Sequence, residues 1–161
     1  MVKRDLKAFM RDSAKTEEIV RVPGPDTILG GDGKPEMLEI KVLSNTAINA
    51  IRDRYTTRTM AVDKKGKPYI ENGEVAFKTR TDSQKATGHI LAEALVYPDL
   101  KDAELMKFFN CYDFTEMAGK VFARTDEFAH VNQAVLAALG IVREPENENS
   151  ERESVIDELK N

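Results

Sequence analysis

The sequence feature that most constrains the fold is the dipeptide Tyr97-Pro98, which interrupts an otherwise helical stretch from Ala86 to Asn110. Proline lacks a backbone N–H group and disfavours a helical conformation of the residue before it, so a helix that enters this stretch has to end at Tyr97. Asp102 can cap a second helix beyond the proline. The apolar side chains are Ile90, Leu91, Ala94 and Leu95 in the first segment and Leu105, Met106, Phe108 and Phe109 in the second. Their spacing predicts two helices that meet at a corner.

Alternating apolar residues predict an antiparallel hairpin in the N-terminal part of the chain. Segments 17–22 and 37–42 alternate between apolar and polar residues. Pro23-Gly24-Pro25 and the Gly30–Pro35 turn separate them, which indicates a hairpin with a long loop. A short helix over residues 5–12 is predicted to precede it.

Four further segments complete the predicted organisation. The first is a helix capped by Ser44 or Asn45 and running to Tyr55, and the second is a β arm over residues 56–81 with candidate strands at 59–62, 68–71 and 74–78. The third is a helix over 114–122, and the fourth is a helix that Thr125 caps, which runs to Leu139 and ends at Gly140. The helix of the opening stretch starts at Asp82. Residues 1–142 are therefore predicted to form a single α+β domain, in which an N-terminal antiparallel β-hairpin or small sheet packs with a C-terminal bundle of about four helices.

The charge of the chain is concentrated at its C-terminus. Residues 143–161 hold seven acidic and three basic side chains, whereas residues 1–142 hold 21 of each sign and are formally neutral. The polar run after Val142 predicts a disordered, acidic tail. A neutral body argues against non-specific binding of nucleic acid, which depends on many phosphate contacts. No run of 18 apolar residues is available for a membrane span, and a single cysteine fits the reducing cytoplasm.

A search for catalytic or metal-binding chemistry yields no strong candidate. The Gly-rich loop at Gly30–Pro35 lacks the pattern of a Walker A loop, because Ile28 and Pro35 stand where glycine and serine or threonine are required. His89 and His130 have no second ligand at metal-binding spacing, and Cys111 has no partner histidine nearby in the sequence. The carboxylates around the corner fit helix caps and solvated faces better than a catalytic pair; they are Asp99, Asp102, Glu104, Asp113 and Glu116. The sequence therefore predicts a protein without cofactor, metal or catalytic residues.

Two groups of apolar residues are candidates for binding a protein partner. Met106, Phe108, Phe109, Met117 and Phe122 exceed what one short helix pair needs to bury, so some of them are expected to border an exposed groove. The alternative for each is a place in the core. Val155, Ile156 and Leu159 lie at helical spacing in the acidic tail, which fits either a recognition motif that folds on binding or a frayed terminus. The basic segment from Arg52 to Lys67 is expected to be a solvated loop, with a docking patch for an acidic partner as the alternative.

The order of these segments resembles the XkdN-like tail assembly chaperones of phages and prophages. The resemblance rests on LKAFM, EEIVRV, DGKP leading into MLEIKV, LSNTAINAIRDRYTTR, HILAEALVYPDLKDAELMKFFN and VNQAVLAALGI, and it covers most of residues 4–141 apart from 56–81. It implies a non-enzymatic helper that acts in the host cytoplasm, binds the tape-measure protein, helps recruit tail-tube subunits and is absent from the mature virion.

The residues leave other functions open. One alternative is a tail-completion or connector subunit that stays in the virion, and a weaker one is a nucleic-acid-binding regulator that uses the 52–67 segment. The sequence makes no prediction about self-association.

Overall fold

The computed structural model describes residues 6–10 and 18–141. The strands, in chain order, are β1 (Ile19–Pro23), β2 (Met37–Lys41), β3 (Thr56–Met60), β4 (Ile70–Glu71), β5 (Glu74–Val75), β6 (Phe77–Thr81) and β7 (Leu95–Tyr97). The helices are α1 (Asn45–Arg54), α2 (Ser83–Ala94), α3 (Ala103–Phe108), α4 (Met117–Val121) and α5 (Thr125–Ala138), with 3₁₀ turns at Lys7–Phe9 and Phe114–Glu116. This set of elements confirms the predicted α+β class.

The predicted hairpin is present as β1 and β2. The two strands pair antiparallel, from Ile19 opposite Lys41 to Pro23 opposite Met37. Within the connecting loop, Gly33 has a φ of +77°, a conformation that side-chain-bearing residues rarely adopt. The hairpin contributes buried Leu38 and Ile40 to the core, both from β2.

The end of α2 differs from the sequence prediction. A helix reaching Tyr97 is wrong, because α2 ends at Ala94 and the next three residues form β7. β7 pairs antiparallel with β2, with Leu95 opposite Ile40, and so completes a sheet in the order β1-β2-β7. The free edge of β2 offers hydrogen-bond partners that a frayed helix end lacks, and Leu95 becomes buried. The Tyr97-Pro98 peptide bond is cis.

Of the four predicted helix starts, three are side-chain caps at the predicted residues. Ser44 Oγ accepts a hydrogen bond from the Ala47 N–H (3.1 Å), and Asp102 Oδ1 accepts one from the Leu105 N–H (3.0 Å). Asp82 does the same for α2. The exception is α5, where Thr125 is already helical and the N-cap residue is Arg124, whose N–H donates to the Glu127 carboxylate (3.3 Å).

Two other helical predictions need smaller corrections. The segment predicted as one helix over 114–122 is a 3₁₀ turn followed by the five-residue helix α4. In the predicted helix over 5–12, residues 7–9 form a 3₁₀ turn, and residues 5, 11 and 12 lie outside the described residues. Both are short segments, in which the choice between helix types depends on few hydrogen bonds.

The core forms around α2. Its side chains meet the sheet on one side and the segment from Thr115 to α5 on the other, and the most deeply buried side chains are Ile40, Leu91, Leu100, Met117, Val131 and Val135. A smaller cluster of Ile48, Ile51 and Ile90 joins α1 to α2. Gly88 allows a very close approach, because a Cβ atom there would lie 1.9 Å from the carbonyl oxygen of Thr115.

The predicted β arm is present between α1 and α2. β3 and β6 form one two-stranded ladder, and β4 and β5 form another. The three candidate strands at 59–62, 68–71 and 74–78 lie in this region, but their bounds differ, and the third candidate is divided between β5 and β6. The Asn72-Gly73 turn joins β4 to β5, and both residues have positive φ. Among residues 56–81, all of which the structure describes, Ala61 alone is buried.

Candidate functional site

His89 is a buried structural residue and not a free ligand. Its Nδ1 lies 2.8 Å from the Tyr55 hydroxyl oxygen, and its ring contacts Phe114 edge to face, with 5.0 Å between the ring centroids. Burial lowers the pKa of His89 below its ordinary value of 6.5, although the nearby Glu93 carboxylate opposes this shift. The neutral imidazole thus ties the end of α1 to the middle of α2.

Glu93 and Lys101 form an ion pair across the corner that follows α2. The Lys101 ammonium donates to the Glu93 carboxylate, which also lies 3.5 Å from His89 Nε2. The hydrogen bond from Lys101 lowers the pKa of Glu93. Lys101 Nζ lies 5.5 Å from the centre of the Phe114 ring as well. These contacts hold the 99–102 turn against α2, so the pair has a structural role.

Cys111 is buried and lies beside a capping aspartate. Its thiol donates to the backbone oxygen of Asp113 at 3.1 Å. Asp113 Oδ1 accepts hydrogen bonds from the N–H and the hydroxyl of Thr115, at 3.0 and 2.7 Å, which lowers the pKa of Asp113. Within the described residues, the hydrogen bonds of Cys111 include none to a histidine. An activated cysteine nucleophile needs such a neighbouring base, so Cys111 does not have that geometry.

The remaining candidates for chemistry also have structural roles. His130 Nε2 lies 3.0 Å from the carbonyl oxygen of Pro23 and connects α5 to the end of β1. Asp32 accepts a hydrogen bond from the Lys34 N–H inside the Gly-rich turn, as expected for a plain turn. In residues 6–10 and 18–141, no three histidine, cysteine, aspartate or glutamate side chains come together as a metal site would require.

An exposed aromatic surface is present where α3 ends. Phe108 is 80% exposed and Tyr112 is 92% exposed, which is unusual for side chains of this size. Phe109 is partly buried and contacts Phe108 edge to face, with 4.9 Å between ring centroids. A shallow groove beside them is lined by Met106, Lys107 and Cys111, among others. We call Met106, Phe108, Phe109 and Tyr112 the aromatic corner.

The connection that follows α3 keeps the aromatic corner in place. Asn110 has a φ of +50°, and the Cys111 N–H donates to the Met106 carbonyl at 3.0 Å, which turns the chain sharply after the helix. Leu105, Met106 and Phe109 pack against the main core, so the outward-facing Phe108 is carried on an anchored helix. The exposed rings therefore lie next to side chains that contact the core.

The five candidate groove residues are divided by the structure. Met117 and Phe122 lie in the core, at 0% and 2% exposure, because α4 packs its apolar side against α2. Neither has a surface that a partner could contact in this conformation. Met106 and Phe109 are partly buried, and Phe108 is free to make contacts. Val155, Ile156 and Leu159 lie outside the described residues.

Tyr112 belongs to the aromatic corner although the sequence analysis did not select it. The available signal was its position: it follows Asn110 in a helix–helix connection and extends no apolar stripe.

The basic 52–67 segment runs from the end of α1 into the β arm and is exposed apart from Tyr55, Thr56 and Ala61. Among the described residues, every helix is too short or too polar to cross a bilayer.

Comparisons with known proteins bear on fold and family. A family model described as phage XkdN-like tail assembly chaperone protein matches residues 6–160. The crystal structure of the protein yqbn is similar to this chain, with a TM-score of 0.58 and 21% sequence identity over 86% of this chain and 98% of that chain. At this identity the likeness concerns the fold alone. A search of curated proteins finds no significant match.

Proposed function

Since the chain belongs to the family of phage XkdN-like tail assembly chaperones, we propose that it binds the tape-measure protein during tail assembly and does so through the aromatic corner. The observation that carries the proposal is the near-complete exposure of Phe108 and Tyr112, next to Met106 and Phe109, which pack against the core. Two large aromatic side chains that are close together and exposed to solvent indicate a protein interface. Recruitment of tail-tube subunits and action in the host cytoplasm are further parts of the proposal, and both rest on family membership.

The aromatic corner suits a transient helical partner. Phenylalanine and tyrosine bury roughly 150–250 Å² each, and apolar burial contributes about 25 cal/mol per Å², so each ring can contribute several kcal/mol before the cost of association. A shallow groove lined by Tyr112, with the exposed Phe108 ring outside it, supports moderate affinity. A chaperone has to release its client when the tail tube grows, and moderate affinity allows that exchange.

A non-enzymatic mechanism is consistent with the side chains that surround the corner. Lys107 lines the groove, and the acidic residues Asp102, Glu104 and Asp113 lie near it in the chain. Cys111 lines the groove with its thiol bonded to Asp113. Binding thus depends on apolar contact with a rim of charge, which is the usual composition of a protein interface.

Co-expression with the tape-measure protein encoded nearby tests the proposal. We expect the tape-measure protein to stay in the soluble fraction and to co-purify with this chain. The double variant Phe108→Ser/Tyr112→Ser should lose at least tenfold in co-purified tape-measure protein with unchanged thermal stability, because both side chains are exposed.

Leu29→Ser is the matched control, since Leu29 is also more than half exposed but lies in the β1–β2 loop. Equal loss with this control would show that any exposed apolar residue suffices and would refute the aromatic corner as the site. Failure of the unmodified chain to keep its client soluble would argue against the chaperone function itself. Finding the chain in stoichiometric amounts in mature virions would instead favour the connector alternative.

A further inference from the structure

The β arm presents a second apolar surface that the proposed function does not use. Six large apolar side chains of the arm are at least 40% exposed: Met60, Val62, Tyr69, Ile70, Val75 and Phe77. The arm is nevertheless ordered by backbone hydrogen bonds, in which Ala61 both donates to Ala76 (2.9 Å) and accepts from Tyr69 (2.8 Å). An ordered segment with this much exposed apolar area indicates a docking surface.

The two faces of the β3–β6 ladder carry different side chains. Met60 lies opposite Phe77, and the Arg58 guanidinium stacks on the Phe77 ring at 4.0 Å from its centre, so these three share one face. The other face carries Lys78 and Arg80 opposite threonines. In total the arm has six basic and three acidic residues. Its ligand should therefore be acidic and carry a few apolar side chains.

The C-terminal segment of this chain has that composition. Residues 143–161 contain seven acidic and three basic side chains, together with the apolar residues Val155, Ile156 and Leu159. The net charge of the segment is opposite in sign to that of the arm and similar in size. Charge complementarity of this kind steers association and selects the partner.

The position where the described chain ends brings the two segments close. Ile141 lines the same cleft as Arg52 and Thr81. Arg52 lies near the end of α1 and Thr81 at the end of β6, so both are at the base of the arm. Val155 follows Ile141 by 14 residues, a length that can span up to about 50 Å when extended. A five-residue strand such as β3 is only about 17 Å long. The segment can thus reach any part of the ladder.

We propose that residues 143–161 bind the β arm of the same chain. Val155, Ile156 and Leu159 cover the Met60–Phe77 end of the ladder, and the carboxylates lie beside Arg58, which shares that face. Because the segment is tethered, its effective concentration at the arm is on the order of millimolar, so even weak contacts keep the arm covered. Covering this face removes its exposed apolar side chains from contact with other proteins.

Paramagnetic broadening in the full-length chain tests this proposal. A nitroxide attached at Ser154→Cys leaves the three apolar residues unchanged, and the native Cys111 is buried. We expect the amide signals of residues 56–81 to lose more than half of their intensity, while those of α3 keep theirs. Raising the salt to 1 M should weaken the effect, since it reduces the Debye length to about 3 Å.

Variants in the arm provide the controls. Arg58→Glu combined with Met60→Ser should restore most of the arm signals, and Lys120→Glu should not, because Lys120 is an exposed lysine on α4. Circular dichroism of each variant checks that the fold is kept. Equal broadening across the protein, or broadening centred on the aromatic corner, would overturn the proposal. Broadening seen only between labelled and unlabelled copies would overturn it as well, and would assign the contact to a second chain.

Discussion

Gly88 offers the most direct test of how this domain is packed. It lies in the middle of α2, where a Cβ atom would be 1.9 Å from the carbonyl oxygen of Thr115 and 2.9 Å from its carbonyl carbon. Both are backbone atoms, so no side-chain rotation relieves the overlap in Gly88→Ala. Reaching an ordinary contact of 3.4 Å requires α2 and the 3₁₀ turn at Phe114–Glu116 to separate by about 1.5 Å.

Two effects of opposite sign decide the magnitude. Alanine is favoured over glycine inside a helix by about 1 kcal/mol. Overpacking costs about 1–3 kcal/mol in a typical core and more when backbone has to move. The separation also disturbs the contact of His89 on α2 with Phe114. We therefore expect Gly88→Ala to lower the free energy of unfolding by a net ~2 kcal/mol or more.

Thermal and urea unfolding measure this change. For a chain of this size, ~2 kcal/mol corresponds to a decrease in Tm of about 4–8 °C. Gly119→Ala is the matched control, because Gly119 also lies in a helix and an added Cβ there meets nothing within 4 Å. The control should be unchanged or stabilised by up to about 1 kcal/mol. A Gly88→Ala variant as stable as the control would refute the close approach of α2 to Thr115.

Two further predictions follow from the buried groups. Because burial lowers the pKa of His89 below 6.5, its neutral ring stabilises the fold fully above pH 6.5, and this contribution is lost as the pH falls from 6.5 through the folded-state pKa. His89→Gln should therefore reduce the change of Tm with pH in this range. The loss of stability below about pH 4.5, which the lowered pKa values of Glu93 and Asp113 predict, should remain. A profile unchanged from that of the unmodified chain would contradict this role of His89. Met117→Ala should lower the free energy of unfolding in urea by about 2–5 kcal/mol, because the side chain is fully buried. Phe108→Ala should change it by no more than about 0.5 kcal/mol, because that side chain is exposed, and should reduce only partner binding. The reverse pattern would show that the corner, and not α4, forms the core.

Interactions between residues close in the chain could be predicted well. The caps at Ser44, Asp82 and Asp102 each join a side chain to the N–H three residues later, so the sequence spacing contains the whole interaction. The same holds for Asp63, which accepts hydrogen bonds from the Lys65 and Lys67 N–H groups and makes the turn of the arm. His89 and Cys111, for which the sequence offers no second ligand or partner histidine, make hydrogen bonds within the fold to Tyr55 and Asp113.

Pairing between distant segments could not be predicted in the same way. β7 exists because β2, more than fifty residues earlier, has a free edge at that position. Nothing local distinguishes Leu95–Tyr97 from the last turn of a helix. The bounds of the arm strands depend likewise on the ladder between β3 and β6, which closes over 25 residues from Thr56 to Thr81.

By itself, the sequence determined the class of the fold, the start of most helices, the position of the turns and the family. These properties depend on local spacing and on the order of segments along the chain. Tertiary packing sets which of Met106, Phe108, Phe109, Met117 and Phe122 are exposed, and it also brings Tyr112 to the candidate surface. The physical reason is that apolar side chains of equal hydrophobicity are interchangeable in a sequence pattern, whereas burial depends on which elements pack above them.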